Sequence, residues 1–203
     1  MQKLDLKSQL KELYKPSKDK ISWVNVPRLT YLAIDGRGDP NVATEYREAV
    51  EALCSLSYTL KFTIKKSANP IDYSVMPLEG QWWSQDMSTF SVQNKSDWLW
   101  TLMILQPSIV TAALFKQARA GLAAKKSLPA LQNVRLHSFT EGTAAQVLHI
   151  GPFSEEGPTV AKLHAAISEG GYSLTGKHHE IYLSDIRRSD PTRWKTIIRQ
   201  PYR

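Results

Sequence analysis

Cysteine is nearly absent from this sequence. The single Cys54 allows neither an internal disulfide nor a cluster of thiolate metal ligands, and nothing in the chain demands an oxidising compartment. Long hydrophobic runs are missing too: the longest, such as Trp98 to Leu105, spans about eight residues, where a membrane helix needs roughly 20. The N-terminus mixes Lys3, Asp5, Lys7 and Lys11 with its leucines and so lacks the apolar stretch of a secretory signal. A cytoplasmic protein with no membrane contact is expected. Concentrated charge is also lacking. Lys and Arg (26) outnumber Asp and Glu (19), a net charge of +7, but the excess is scattered. Lys3, Lys7, Lys11, Lys15, Lys18 and Lys20 lie in the first stretch, and Lys65-Lys66, Lys125-Lys126 and Arg187-Arg188 are isolated pairs. Such a distribution solvates a surface, and no nucleic-acid partner is expected.

What the chain holds in quantity is aromatic side chains, with six Trp, eight Tyr and five Phe on an otherwise ordinary globular composition. Residues 1–20 place Leu6, Leu10 and Leu13 at helical spacing before Pro16, which predicts a short amphipathic helix and a linker, too short for a helix-turn-helix domain. Residues 21–203 read as one domain. Arg28 to Asp35 alternates as a strand and ends in the turn Gly36-Arg37-Gly38-Asp39-Pro40. Tyr46, Ala49, Val50, Leu53, Leu56 and Leu60 then predict a helix of about 18 residues. Ile71 to Pro77 and Gln81 to Ser84 predict a hairpin about Leu78-Glu79-Gly80. Trp98 to Leu105 predicts a strand, and Val110, Leu114, Ala118 and Leu122 a second helix. The order then recurs: strands at Val134 to Phe139 and Ala145 to Ile150, a turn at Gly151-Pro152-Phe153, and a helix with Ser154 as possible cap and Val160, Leu163 and Ile167 as its stripe. A final hairpin pairs Tyr172 to Thr175 with His178 to Asp185. The strand and glycine turn at 31–36 and 146–151 repeat at an offset of about 115 residues, which suggests two related modules, about 21–125 and 130–203. The expected class is α+β: two pseudo-twofold strand-helix-strand-strand modules forming an antiparallel sheet, with helices on one face and a ligand groove on the other.

Strand alternation sorts the last hairpin. His179, Ile181 and Leu183 share one face, and His178, Glu180 and Tyr182 the other; with Ile181 and Leu183 packed under the helices, Glu180 and Tyr182 would look into the groove. A carboxylate midway along such a strand is costly to bury unless a partner or water compensates it. Glu180 is therefore an edge glutamate in water, one paired with His178 or an arginine, or an anionic post in an aromatic box that attracts flat cationic ligands. Trp82, Trp83, Trp98 and Trp100, with Tyr73 and Tyr182, are candidate walls; strand geometry points Trp82 and Trp83 to opposite faces, so one of them is expected to be structural, and Trp83 is taken for the pocket. His178 and His179, adjacent on a strand, point apart and do not chelate one ion, and no HExxH or cysteine-rich spacing supplies further ligands. The glycine turn lacks the Lys and Ser/Thr of a phosphate loop, and Cys54 sits in a helix pattern without a nearby base. Neither a metal nor a cofactor is expected.

The segments His149-Ile150-Gly151-Pro152-Phe153, Glu156, Thr159, Gly171-Tyr172 and His178-His179-Glu180-Ile181-Tyr182-Leu183-Ser184-Asp185 resemble the GyrI-like (gyrase-inhibitor-like) small-molecule-binding family. Pro77-Leu78-Glu79-Gly80-Gln81-Trp82-Trp83 and the Trp98/Trp100 strand ending at Gln106-Pro107 resemble its stand-alone members. The resemblance implies the duplicated fold, with Glu180 at the base of an aromatic pocket that binds lipophilic cations in related multidrug-sensing regulators. Some stand-alone members hydrolyse the cyclopropane ring of DNA-alkylating natural products. The family often continues Asp-Pro-Arg, whereas Asp185 here is followed by Ile186-Arg187, a departure that touches the turn. The resemblance thus implies a binder of lipophilic cationic or aromatic xenobiotics, a monomer or weak homodimer, and a possible cyclopropyl hydrolase with Glu180, Tyr182 and Tyr73 as catalytic residues. Trp83, Trp98, Trp100, Tyr73, Glu180, Tyr182 and His178 are the expected ligand contacts. The alternatives are a non-catalytic drug-sequestering or sensing module, and an inhibitor that contacts gyrase.

Overall fold

In the computed structural model, which describes residues 2–17, 20–85 and 95–203, the chain forms two compact units. The first comprises Met1–Gln9, Thr30–Leu78 and Trp82–Ser138, and the second Leu10–Leu29, Glu79–Gln81 and Phe139–Arg203. Lys18, counted above among the leading basic residues, lies outside the described residues. Helices accompany mainly antiparallel strands, as expected of the α+β class.

Residues 1–20 do not form the single amphipathic helix expected. A strand, β1 (Gln2–Leu4), is followed by two one-turn helices, α1 (Leu6–Gln9) and α2 (Lys11–Tyr14), that break at Leu10. A helix this short is marginal alone, so tertiary hydrogen bonds decide its conformation.

In the first unit, β2 (Ser22–Arg37) contributes its second half and runs into α3 (Thr44–Lys65). This helix extends beyond the expected 18 residues, burying Ala49, Ala52, Leu53, Leu56, Leu60 and Ile64 along one stripe. β3 (Ile71–Tyr73) pairs in parallel with β1, Tyr73 opposite Leu4. The hairpin expected about Gly80 is absent: Gly80 lies buried inside β4 (Leu78–Trp83). β5 (Leu99–Leu105) runs antiparallel to β2 with Gly36 opposite Trp100. α4 (Ala112–Ala123) packs on α3 and is capped by the Thr111 side chain, which accepts from the Leu114 amide.

In the second unit, the two strands expected at 134–150 are one, β6 (Arg135–Ile150), in which Gly142 takes a φ of +78°. Ser154 sits in a 3-10 turn (Phe153–Glu155) and is not a cap; α5 (Gly157–Glu169) starts after Glu156 with Pro158 in its first turn. The last hairpin also differs. β7 (His178–Tyr182) pairs with β8 (Lys195–Pro201), whereas Leu174 makes only an isolated bridge to Tyr202. β8 lies in turn against β6.

These registers fix the faces. Glu180 is opposite Ile198 and Ile198 is opposite Val147, so His178, Glu180 and Tyr182 share a face with Thr196, Ile198, Val147 and His149. The alternation expected for the strand is present, but its sidedness is reversed. Ile198 and Val147 pack against Leu163 and Ile167 of α5; the helix therefore covers the Glu180 face and not the Ile181 face. The opposite face has buried polar groups, described below, which need partners that a helix's apolar stripe does not offer.

Candidate ligand site at Glu180

Glu180 sits midway along β7 with its side chain 15% exposed. Alternation puts His178 and Tyr182 two residues away on the same side, and both meet its carboxylate. His178 Nε2, protonated in the donating tautomer, lies 3.0 Å from Oε1, and the Tyr182 hydroxyl donates to Oε2 at 2.8 Å. Of the alternatives left open by the sequence, the water-exposed edge glutamate is thus excluded. Two donors fill two of the carboxylate's roughly four lone-pair positions, and the rest can receive a water or a cation. Behind His178, His164 of α5 is held below the ordinary histidine range, first by burial and then by the neighbouring His178, against the opposing influence of Gln200.

A chain of rings starts at Tyr182. The Tyr182 ring meets Phe153 edge-on at 5.6 Å, and Phe153 tilts on Trp194 at 5.0 Å. The indole N–H of Trp194 donates to the Ser189 carbonyl, and the Trp194 carbonyl accepts from the Gly151 amide, which ties the Phe153 turn to the start of β8. Phe153 remains 39% exposed. Neither Phe153 nor Trp194 is among the ligand contacts expected from the sequence. Phe153 stood in the Gly151-Pro152-Phe153 motif, but a turn does not reveal what its third residue faces.

Trp82, Trp98 and Trp100 belong to an aromatic cluster of the first unit. Tyr46 stacks on Trp82 at 6.1 Å and meets Trp100 edge-on at 5.5 Å; Trp82 meets Trp98 at 5.4 Å. Trp82 is buried and Trp83 half-buried on the other side of β4, as strand alternation requires. Tyr73, 4% exposed on β3, has its phenol pushed well above the usual range by burial, which keeps it a proton donor. Among the described residues, no partner meets the Tyr73 hydroxyl or the Trp100 indole nitrogen. The structure therefore joins Glu180, Tyr182 and His178 in one hydrogen-bonded group, and Trp98 and Trp100 in one ring cluster.

Trp100 is fully buried because it lies across a glycine. A Cβ at Gly36 would come within 2.1 Å of the indole ring, which has no free space to retreat into. Gly36→Ala is expected to cost about 1–3 kcal/mol by overpacking, read as a lower urea midpoint with a shifted tryptophan emission. An unchanged midpoint would mean that the ring yields freely.

The opposite face of β7 carries a network that the sequence did not reveal. His179 places Nδ1 2.8 Å from Glu141 and Nε2 3.0 Å from Glu79. The Tyr14 hydroxyl donates to Glu79 at 2.6 Å. Arg199 donates to Glu141 at 3.1 Å, to Gln146 at 2.9 Å and to the Leu13 carbonyl at 3.0 Å. Gln146 in turn donates to the Glu12 carbonyl. Glu79, His179 and Arg199 have no exposed surface. Burial opposes the charge on His179, but Glu141 and Glu79 outweigh it and hold its pKa up at about 9. Burial likewise opposes ionisation of Glu141, yet His179 and Arg199 bring it down to about 2. Two cations face two carboxylates, and every member is hydrogen-bonded, the condition under which buried charge is tolerated. Residues 12–14 are thereby held within the second unit.

Residues 19–203 match the model of the GyrI-like small molecule binding domain. An uncharacterised conserved protein of Listeria innocua is 38% identical, with a TM-score of 0.90, over 98% of this chain and 100% of that one. A hydrolase of Listeria innocua is 37% identical, with a TM-score of 0.89, over 100% of both chains. The C-terminal domain of EcmrR shares the fold at 12% identity and a TM-score of 0.56, over 91% of this chain and 97% of that one. A search of the curated proteins found no match. Among the described residues, no helix is long and apolar enough to cross a membrane.

Proposed function

Because this chain belongs to the GyrI-like small-molecule-binding family, we propose that it binds flat, amphipathic and often cationic aromatic compounds, and that it opens the ring of those carrying an electrophilic cyclopropane by adding water. The observation that carries this reading is the Glu180 carboxylate, largely enclosed and oriented by His178 and Tyr182, with the Phe153 ring set edge-on against the ring of Tyr182. Each cation–ring contact contributes roughly 0.5–2 kcal/mol, so a few rings and one carboxylate suffice for micromolar binding without a fixed hydrogen-bond pattern. The 37% identity to a hydrolase along the whole chain supports the catalytic part.

In the proposed reaction the rings hold the fused aromatic system, and Glu180 orients and deprotonates a water aimed at the strained carbon. A tyrosine hydroxyl, Tyr182 or Tyr73, donates to the carbonyl oxygen as it becomes a phenolate. Release of ring strain lowers the demand on acid–base assistance. Trp83, Trp98, Trp100 and Tyr73 are the proposed ligand contacts of the first unit. The protein acts in the cytoplasm as a monomer or weak homodimer, without nucleic acid.

Mass spectrometry of the protein incubated with a cyclopropane-bearing, DNA-alkylating dienone tests the reading. A product heavier by one water, formed beyond one equivalent per protein, is expected. Stoichiometric protection of the dienone with no product would instead establish the sequestering module, for which the two hydrogen bonds already held by Glu180 are the favouring observation.

A further inference from the structure

Thr196 is 1% exposed, and its hydroxyl has no hydrogen-bond partner among the described residues. A buried hydroxyl left unmet costs about 1–3 kcal/mol, and water is the usual remedy where other polar groups converge. The register gives Thr196 two cross-strand neighbours on its own face, Tyr182 of β7 and His149 of β6. Both are engaged elsewhere. The Tyr182 hydroxyl donates to Glu180, while His149 spends Nδ1 on Thr159 and Nε2 on the Pro152 carbonyl. Glu180, opposite Ile198, is the diagonal neighbour of Thr196 on the same face. Diagonal residues of an antiparallel pair lie about 7–8 Å apart, a gap that a carboxylate, one water and a hydroxyl span together.

We propose that Thr196 Oγ1 and the Glu180 carboxylate jointly hold one buried water, and that this water is the nucleophile of the ring opening. The second clause rests on the proposed hydrolysis; the first does not. In the step, a lone pair of the water forms a C–O bond to the strained carbon and the cyclopropane C–C bond breaks. Its electron pair moves through the conjugated ring to the carbonyl oxygen, which takes the Tyr182 proton once that hydroxyl has turned from Glu180 to the substrate. Glu180 receives the proton lost by the water and returns it to the Tyr182 oxygen. Substrate plus water equals product, with no other reactant.

Crystal structures of the parent and of Thr196→Val, with steady-state kinetics of both and of Thr196→Ser, test the proposal. A water within hydrogen-bond distance of Thr196 Oγ1 and Glu180 is expected in the parent and its loss in the valine variant. Turnover by Thr196→Val should fall about 10- to 100-fold in kcat with KM within about twofold, and Thr196→Ser should recover most of it. No such water in the parent, a valine variant with parental kcat, or a serine variant as slow as the valine one would each overturn the proposal. Should the valine variant fail to fold, the parent structure and the serine variant decide. A parent that holds the water but never turns over the dienone refutes the hydrolysis and with it the nucleophile; the water site stands.

Discussion

Glu180→Gln is expected to weaken binding of a rhodamine cation about 10- to 30-fold while leaving a neutral flat arene within about twofold. Glutamine keeps the shape of the side chain and an acceptor for the Tyr182 hydroxyl, and its NH2 faces His178, whose Nε2 accepts in the other tautomer; the change removes the charge and keeps both contacts. A unit cation about 4 Å from a carboxylate gains up to about 4 kcal/mol at an effective dielectric near 20, and partial solvent access reduces this toward the fold-change given. Turnover should fall further, by about two orders of magnitude or more, because an amide does not accept the proton of the attacking water. Titration of the intrinsic tryptophan fluorescence reads the first effect and product formation the second. Equal cation affinities in variant and parent would remove Glu180 as the anionic post; equal turnover would remove it from the chemistry.

Arg199→Met is expected to destabilise the protein by about 3–5 kcal/mol, the range for removing one partner of a buried charge pair. The guanidinium serves Glu141, Gln146 and the Leu13 carbonyl at once, and methionine fills the volume without meeting any of them. A urea midpoint close to the parent's would show that water had entered and taken over those bonds. The network also sets a pH dependence. The His179 pKa, about 9, lies above its ordinary value of 6.5, so the stabilisation it contributes is complete below about pH 6.5 and is lost as the pH rises through about 9. Glu141, depressed to about 2 from 4.5, acts in the opposite window: its contribution is present above about pH 4.5 and is lost as the pH falls toward 2. Urea midpoints should therefore decline from pH 6.5 to 9.5, and His179→Gln should flatten that decline. A parent whose midpoint stays level to pH 9.5 would mean that His179 is neutral in the folded protein.

The two faces of β7 show how far the sequence could be read. Alternation placed Glu180 with His178 and Tyr182 because the period of a strand is a local property of the backbone. It could not say which face α5 would cover, since that depends on Ile198 and Val147, contributed by two other strands. Phe153 and Trp194 escaped for the same reason: a 3-10 turn and the start of a distant strand meet only when the chain is folded. The buried network was still less legible. Glu79 and His179 are 100 residues apart, and Glu141 and Arg199 are 58 apart; no spacing rule connects such pairs.

The sequence by itself determined the α+β class, the helical stripe of α3, the grouping of His178, Glu180 and Tyr182, and through its terminal motif the family. Those properties rest on short-range periodicity and on contiguous residues. Only the tertiary structure decided that α5 covers the Glu180 face, that Phe153 joins the rings of Tyr182 and Trp194, that residues 12–14 close a buried charge network, and that the Thr196 hydroxyl is left unmet. Burial and partner choice are set by long-range packing, and the same side chain is a surface charge or a buried ion according to what the rest of the chain brings to it.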